Sequence, residues 1–315
     1  MIFRELRRSD AQQISHEMQL NFAQELELQG WDPEHFQMVL DRSFGFPAGW
    51  VLTFLRVVRR PPVYLLVAEE GGRIVGTTFL FLQRTHGYIA AVMTDPSFRG
   101  RGIATTLLSR AEEACRRRGR TWAVLDVLTH NKVARDLYIK RGYGPLRVQH
   151  WLTRSLAQRR EAFQPAAPEV RAMDKQDLSS LLELYRTQQP PEVREILAPE
   201  RSLLAPPNYL QSVMAASSAA WCTGTRGSPS GYVRATFTTP KEAGNLGAPL
   251  FQPRATPVER EGLLETALGW LAASGARTVI CEVPHYSVDA LQMLRDAGFE
   301  ERWTMDTLAL KLDRS

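Results

Sequence analysis

The sequence is poor in cysteine and contains no long apolar run. Its three cysteines, Cys115, Cys222 and Cys281, are far apart and form no C-x-x-C pair, which argues against a disulfide framework or a cysteine-based zinc site. No apolar run approaches the roughly 18–20 residues that span a bilayer, and Met1–Glu5 lacks the apolar h-region of a signal peptide. We therefore expect a cytoplasmic protein without a membrane span, with its cysteines buried as small apolar residues.

Length and composition indicate an ordinary globular protein of two domains. The chain has 315 residues, of which 44% are hydrophobic and 23% charged. A chain of this length can bury a sizeable core without a structural metal, and we expect no metal site.

Positive charge is concentrated in the first half. Residues 1–165 contain 24 Lys and Arg against 16 Asp and Glu, whereas residues 166–315 contain 15 against 18. A basic half could meet nucleic acid, an anionic membrane or a phosphorylated cofactor. Recognition aromatics are not interleaved with the basic run, so nucleic acid is the weakest of these partners.

The two halves repeat one plan. Segment 117–127 aligns with 273–283, and segment 134–144 aligns with 290–300. Gly119 and Gly142 are 23 residues apart, as are Gly275 and Gly298. Matched segments in the same order favour an internal duplication. A polar, Pro- and Ala-rich stretch predicts a linker at 159–168 between domains 1–158 and 169–315.

Within the first half, hydrophobic periodicity predicts an α+β fold with a central, mostly antiparallel sheet. Glu70-Gly71-Gly72 is a hairpin signal between two strands. A strand over 87–94 runs into a Gly-rich turn and a helix over 102–118, followed by a strand at 122–128 and a helix at 131–141.

The Gly-rich turn, Arg99-Gly100-Arg101-Gly102, has the character of an anion site. Glycines let backbone amides approach a ligand, and the first N–H groups of the next helix lack intrahelical partners. The arginines add positive charge. The P-loop pattern is absent, but a pyrophosphate fits this description.

Two motifs make the first half similar to GNAT-superfamily acetyltransferases. Residues 99–104 match the cofactor motif [Q/R]-x-x-G-x-[G/A], and residues 131–143 match a second motif that includes Asn131, Tyr138 and Tyr143. The resemblance implies two tandem GNAT-like domains, each a central, mostly antiparallel mixed sheet flanked by helices, and acetyl-CoA as cosubstrate. The cofactor-binding residues it implies are Val92, Met93, Thr94, Arg99, Gly100, Arg101, Gly102, Ile103, Ala104, Thr105 and Asn131.

The resemblance further implies transfer of an acetyl group to a primary amine by direct attack in a ternary complex. Tyr138 would be the general acid, and His86 at the start of the cofactor-side strand would be the base. Asp95, Asp126 and His130 are weaker candidates for the base. Purely structural alternatives stay open for all three residues. Tyr138 could be only an aromatic on a helix face, Asn131 a helix N-cap, and His86 an exposed or hydrogen-bonded histidine at a strand end.

The second half looks degenerate. In an ungapped register Leu294 falls where Tyr138 does, Ser287 where Asn131 does, and residues 255–258 occupy the place of Arg99–Gly102 without a glycine. The main alternative to an enzyme is a non-catalytic module that binds or senses acyl-CoA. The acceptor, a small-molecule amine or an amine of a peptide or protein, would be set by the aromatic-rich stretch 30–62 and the interface of the two domains.

Overall fold

The computed structural model describes residues 1–10, 13–14, 16, 63–156, 167, 169–198, 204, 216–238 and 243–313. The chain divides into two compact units, one of Met1–Leu146 with Thr307–Ser315 and one of Arg147–Asp306. The predicted linker at 159–168 lies outside the described residues except for Ala167. The predicted domain limits on either side of it stay a prediction.

Unit 1 is built on a mixed sheet. Its strands in chain order are β1 (Ile2–Glu5), β2 (Val63–Glu70), β3 (Arg73–Leu82), β4 (His86–Thr94) and β5 (Trp122–Leu128). They lie in that order, antiparallel except for the parallel pair β4–β5. The turn between β2 and β3 has φ values of 61° at Gly71 and 80° at Gly72, a conformation that suits glycine and confirms the predicted hairpin.

Two helices pack on one face of this sheet, α1 (Ile103–Arg117) and α2 (Lys132–Lys140). Alternate residues of the strands point towards them, because side chains of a strand alternate between its faces. Helix α1 lies so close to β4 that a Cβ on Gly87 would meet Cys115 Sγ at 2.2 Å. The resulting core is formed by buried residues that include Ile89, Leu107, Leu108, Ala123, Leu125 and Val127.

Unit 2 repeats the architecture. Its strands are β6 (Gly144–Ser155), β7 (Arg171–Ala172), β8 (Ala216–Thr225), β9 (Ser228–Thr238), β10 (Ala243–Gly247), β11 (Leu250–Phe251) and β12 (Thr278–Pro284). The first three residues of β6 belong to unit 1, and the rest belong to unit 2. The strand order is β6-β12-β10-β9-β8-β7, and β10–β12 is the parallel pair. The helices are α3 (Leu178–Gln188), α4 (Pro191–Ile196), α5 (Pro257–Ala273) and α6 (Val288–Asp296).

The last strand, β13 (Glu300–Lys311), is divided between the units. Its residues up to Asp306 belong to unit 2, and those from Thr307 onward belong to unit 1, where the strand lies beside β5. Strand β6, which ends the first half of the chain, pairs with β12 of unit 2. Each unit is therefore completed by a strand from the other half of the sequence, an exchange that sequence patterns do not indicate.

A partly buried ion pair recurs near the start of each half of the chain. Arg4 Nη1 lies 2.7 Å from Asp10 Oδ2, and Arg171 Nη1 lies 2.7 Å from Asp177 Oδ2. In both units the second nitrogen of the guanidinium completes a bidentate contact, and the spacing is six residues. Repetition of this contact supports the predicted duplication.

The three cysteine thiols are buried, as predicted. Burial raises the pKa of Cys115 and of Cys222 to about 12, so both stay protonated thiols at neutral pH. Among the described helices, none is both long enough and apolar enough to cross a membrane.

Candidate functional site

Strand β4 carries a bulge. Thr77 of β3 pairs with Met93 and Phe79 pairs with Ala90, so three steps along β4 oppose two along β3. The extra residue falls at Ala91, whose φ is +51°, and Thr77 Oγ1 donates a hydrogen bond to Ala91 O at 3.0 Å. An alanine with positive φ is strained, and a bulge bends its strand.

Next to the bulge, β4 separates from β5. Their parallel pairs run from His86–Trp122 to Ile89–Leu125, whereas β4 continues to Thr94. Backbone groups of segment 90–94 therefore face β5 beyond the last described pair. This is a wedge-shaped opening between neighbouring parallel strands, and an extended ligand could pair with its walls.

The opening leads into the Gly-rich turn. Gly100 has φ +77° and Gly102 has φ +76°, and a Cβ added to either would meet nothing within 4 Å. The positive φ values, and not close contacts with neighbouring atoms, therefore explain the glycines. Because no atom lies near the added Cβ positions, the outer side of the turn is open. Gly102 caps α1 without a side-chain hydrogen bond, and the first turn of α1 contains no acidic residue. The first N–H groups of α1 are left for an external acceptor.

Positive charge stands beside this helix end. Arg99 is exposed, and its Nε donates to Thr94 O at 3.4 Å. The guanidinium carbon of Arg101 lies 4.7 Å from the centre of the Phe98 ring, and its Nη1 lies 3.9 Å from Glu70 Oε1. Both arginines are within reach of an anion bound at the helix end.

Helix α2 brings the second motif to unit 1. Asn131 caps the helix, and its side chain accepts a hydrogen bond from Ala134 N at 3.2 Å, so the capping alternative describes at least part of its role. Tyr138 is 5% exposed, and burial raises its pKa to about 12. Within the described residues nothing hydrogen-bonds to Tyr138 Oη, so its hydroxyl proton is not committed to the fold.

Tyr143, by contrast, is held by the fold. Its Oη donates to Glu112 Oε1 at 3.1 Å, and Arg141 Nη2 donates to Glu112 Oε2 at 2.7 Å. Burial and the Glu112 carboxylate raise the pKa of Tyr143. The two rings lie 6.0 Å apart, centre to centre. The Tyr143 network thus ties the end of α2 to α1.

Residues 21–143 match the family described as Acetyltransferase (GNAT). The matched range contains the β4 bulge, the Gly-rich turn, Asn131 and Tyr138. This stretch of the chain is therefore similar to the GNAT family.

Solved structures show that the likeness of fold extends over the whole chain. A GCN5-related N-acetyltransferase from Sphaerobacter thermophilus has a TM-score of 0.66 at 18% identity, with 99% of this chain and 95% of that chain covered. A tandem GNAT protein from the clavulanic acid biosynthesis pathway has a TM-score of 0.62 at 15% identity, with 100% and 99% covered. A GCN5-related N-acetyltransferase from Kribbella flavida has a TM-score of 0.51 at 16% identity, with 99% and 72% covered. These confirm the predicted fold of two tandem GNAT-like domains.

Of the acidic residues near the Gly-rich turn, Asp95 stabilises the loop. It accepts a hydrogen bond from Ser97 N at 2.8 Å and pairs with Arg73, while its own N–H binds Val75 O. The Ser97 hydrogen bonds and then the Arg73 charge outweigh burial and hold the pKa of Asp95 below its ordinary value. A carboxylate paired with a cation in this way is a poor proton acceptor.

The structure separates His86 from the β4 bulge. His86 is the first residue of β4, five positions before Ala91, which corresponds to about 16 Å along an extended strand. Asp126 lies nearer, because it directly follows Leu125, the last β5 residue paired with β4. Its oxygens accept hydrogen bonds from Tyr88 Oη at 2.8 Å and from Thr307 Oγ1 at 2.5 Å. His130, the third alternative, is exposed in the turn before Asn131.

In unit 2 the corresponding helix end is closed. Thr256 caps α5, accepting from Glu259 N at 3.2 Å, and Glu259 Oε2 accepts in return from Thr256 N at 2.8 Å. This capping box satisfies the N–H groups that α1 leaves open. The cap lies two positions before the one the ungapped register predicts, because α5 has 17 residues and α1 has 15. The T-x-x-E pattern at 256–259 is the sequence signal from which this capping box could have been predicted.

The rest of unit 2 follows the predicted substitutions. Leu294 is fully buried in the core, and Ser287 caps α6 without a side-chain hydrogen bond. Strand β10 ends at Gly247, which still pairs with Glu282 of β12, so no wedge like that of β4 and β5 opens along the described part of this pair. The stretch 30–62, predicted to set the acceptor, lies outside the described residues.

Proposed function

We propose that this GNAT protein transfers the acetyl group of acetyl-CoA to a primary amine, with one cofactor site per chain, in unit 1. The observation that carries the proposal is the uncapped, glycine-lined end of α1 at the mouth of the β4–β5 wedge. Unit 2 has neither feature, since α5 is capped by its own side chains and β10 stays paired to its end.

The residues of unit 1 fit acetyl-CoA from one end to the other. Backbone groups of Val92, Met93 and Thr94 would pair with the amides of the pantetheine arm in the manner of an added strand. The turn Arg99–Gly102 and the first turn of α1, including Ile103, Ala104 and Thr105, would hold the pyrophosphate. Asn131 would contact the pantetheine arm beside its capping role. The bound molecule supplies an activated acetyl thioester.

Tyr138 supplies the proton that the departing thiolate needs. With a pKa raised to about 12 by burial, its Oη stays protonated at any ordinary assay pH. The absence of a described hydrogen-bond partner leaves that proton available to a ligand group. The Met93 N–H is the candidate donor to the carbonyl oxygen as negative charge develops there.

The acceptor amine must lose a proton before or during its attack. His86 stays the predicted base, but its place at the far end of β4 speaks against direct contact. Asp126 is placed at the opening and is oriented by Tyr88 and Thr307. We therefore favour Asp126 as the group that binds the acceptor ammonium and receives its proton.

Calorimetric titration of the full chain with acetyl-CoA tests the proposal. We expect one site per chain and an affinity at least tenfold weaker in Gly102→Ala, since a side chain on this αL residue strains the turn. Gly298→Ala is the matched control, because Gly298 has φ +80° and equally open surroundings. That variant should lose similar stability and no affinity.

Two bound molecules per chain would contradict the assignment of one site, and no binding at millimolar acetyl-CoA would contradict the function itself. Binding without turnover on any amine would favour the module that senses acyl-CoA.

A further inference from the structure

Unit 2 contains a cavity of about 420 Å³ that the acetyl-transfer reaction does not use. It lies on one face of the sheet, where alternate residues of four adjacent strands point into it: Gln149 of β6, Arg234 of β9, Asn245 of β10 and Glu282 of β12. The intervening residues of β12, Val279, Cys281 and Val283, belong to the core with α5 on the other face. The cavity is therefore a feature of the sheet face itself.

The end of α3 covers this face. Tyr185, Gln188 and Gln189 reach the cavity from there, and Tyr286 reaches it from the turn after β12. The volume falls in the range of pockets that hold small metabolites.

Two buried polar atoms of the lining lack a partner. Within the described residues, Oε1 of Gln149 and Oη of Tyr286 are buried without any hydrogen bond. Gln149 is 9% exposed. Buried polar groups are almost always satisfied, because leaving them unpaired is costly. Orphaned groups that converge on one cavity point to a missing polar ligand.

The charged residues of the lining indicate which class of ligand fits the cavity. Arg147 and Arg234 carry two positive charges and Glu282 one negative charge, so the described lining has a net charge of +1. Arg234 Nε donates to Ser218 Oγ at 3.1 Å, which holds that side chain in place. A guanidinium has five N–H donors and can serve a protein acceptor and a carboxylate together.

The duplication gives this cavity a counterpart. In the alignment of the two halves, Glu282 corresponds to Asp126, the residue that stands at the wedge in unit 1. The cavity of unit 2 thus occupies the acceptor-side face of a unit whose cofactor end is closed.

We propose that unit 2 binds a small carboxylate-bearing metabolite of amino-acid or hydroxy-acid size in this cavity. Its carboxylate faces Arg147 and Arg234, and its other polar groups satisfy Gln149 and Tyr286. The site binds and does not acetylate, since unit 2 has a leucine at the place of Tyr138.

Calorimetric titration and thermal unfolding of the full chain test this with succinate, L-glutamate and L-glutamine, and with succinamide as the neutral match of succinate. We expect saturable binding of at least one carboxylate, a rise in Tm on binding and no response to succinamide. The Gly102→Ala variant should bind the same carboxylate with unchanged affinity, which separates this site from the acetyl-CoA site.

Two apolar variants distinguish a binding role from a structural one. In Gln149→Leu and Tyr286→Phe a buried, unpaired oxygen is removed, so the ligand-free Tm should be unchanged or higher, while carboxylate affinity falls at least tenfold. Gln292→Leu, an exposed residue of α6 outside the cavity, should change neither. Failure of all three carboxylates to bind at millimolar concentration, equal binding of succinamide, or unchanged affinity in both variants would overturn the proposal.

Discussion

The two units have the same fold, but they differ at the ends of two equivalent helices. In unit 1, α1 begins after a glycine in the αL conformation that offers no side chain to its N–H groups. In unit 2, α5 begins with Thr256 and Glu259, which bind each other's backbone. A helix end can be satisfied by the protein or by a ligand, but not by both at once. The open end marks the unit that we propose binds acetyl-CoA.

A second difference concerns the parallel strand pair beside that helix. Strand β4 is lengthened by a bulge at Ala91 and leaves β5, whereas β10 is short and stays paired to its last residue, Gly247. The wedge and the open helix end occur together in unit 1, and both are absent from the described part of unit 2. Their joint occurrence is what a single extended ligand would require.

Removing the Tyr138 hydroxyl should have the largest effect. We expect Tyr138→Phe to lower kcat by about 100-fold or more, the usual contribution of a general acid, while calorimetry shows acetyl-CoA affinity unchanged. The basic limb of the pH–rate profile should not reflect Tyr138 below about 12, because burial holds its pKa there.

Tyr143→Phe is the matched control, since Tyr143 Oη is bound to Glu112. It should reduce stability and leave the chemical step largely intact. A normal kcat in Tyr138→Phe would contradict the role of Tyr138 as general acid. The presence of a leucine at the equivalent position of unit 2, Leu294, would then not explain a loss of activity there.

Variants of Asp126 and His86 test which residue takes the proton of the acceptor amine. We expect Asp126→Asn to lower kcat/KM for the amine by about tenfold or more, because the charge that binds the ammonium is lost. His86→Gln should change it by less than about threefold, since His86 lies at the far end of β4. Steady-state assays with the two variants decide between the bases, and the reverse order of effects would restore His86.

The repeated ion pairs should respond alike in the two units. Asp10→Asn and Asp177→Asn should each lower the free energy of unfolding by about 2 kcal/mol, because each leaves a partly buried guanidinium without its charged acceptor. Urea unfolding measures both losses. A large difference between the two losses of stability would show that the Arg4–Asp10 and Arg171–Asp177 pairs are not equivalent.

The same pairs predict a pH dependence. Burial alone would raise the pKa of Asp10 and of Asp177, but the arginine and backbone hydrogen bonds outweigh it and hold both below the ordinary value. Their contribution is therefore present above the ordinary aspartate range and is lost as pH falls through the lowered pKa values. Each asparagine variant should lose less stability on acidification than the parent chain.

The smallest expected effect concerns the cap of α5. Thr256→Ala should lower the free energy of unfolding by about 1 kcal/mol, the usual value of a lost N-cap. Thermal unfolding checks this, and acetyl-CoA titration of the same variant should still show one site per chain. A second acetyl-CoA site in Thr256→Ala would mean that the cap by itself prevents binding in unit 2.

Local features of unit 1 could be predicted well. The strand at 122–128 has the predicted bounds, and the helix predicted over 102–118 is found at Ile103–Arg117. Such elements depend on residues close together in the sequence, through hydrophobic periodicity and the conformational freedom of glycine. The turn at 99–102 was identifiable for the same reason.

The positions of site residues relative to one another could not be predicted in this way. His86 and Asp126 were both candidates, and which lies at the wedge depends on where β4 and β5 cease to pair. The contact of Asp126 with Thr307 joins residues 181 positions apart and exists because β13 lies beside β5. Spacing along the chain carries no information about such a contact.

The sequence by itself determined the local elements, the duplication and the Gly-rich turn, because each depends on residues that are neighbours along the chain. Only the tertiary structure decided the exchange of the last strands, the wedge beside Asp126 and the polar cavity of unit 2. These arise from the register and packing of strands distant in sequence, where a shift of one residue would turn every side chain to the opposite face of the sheet.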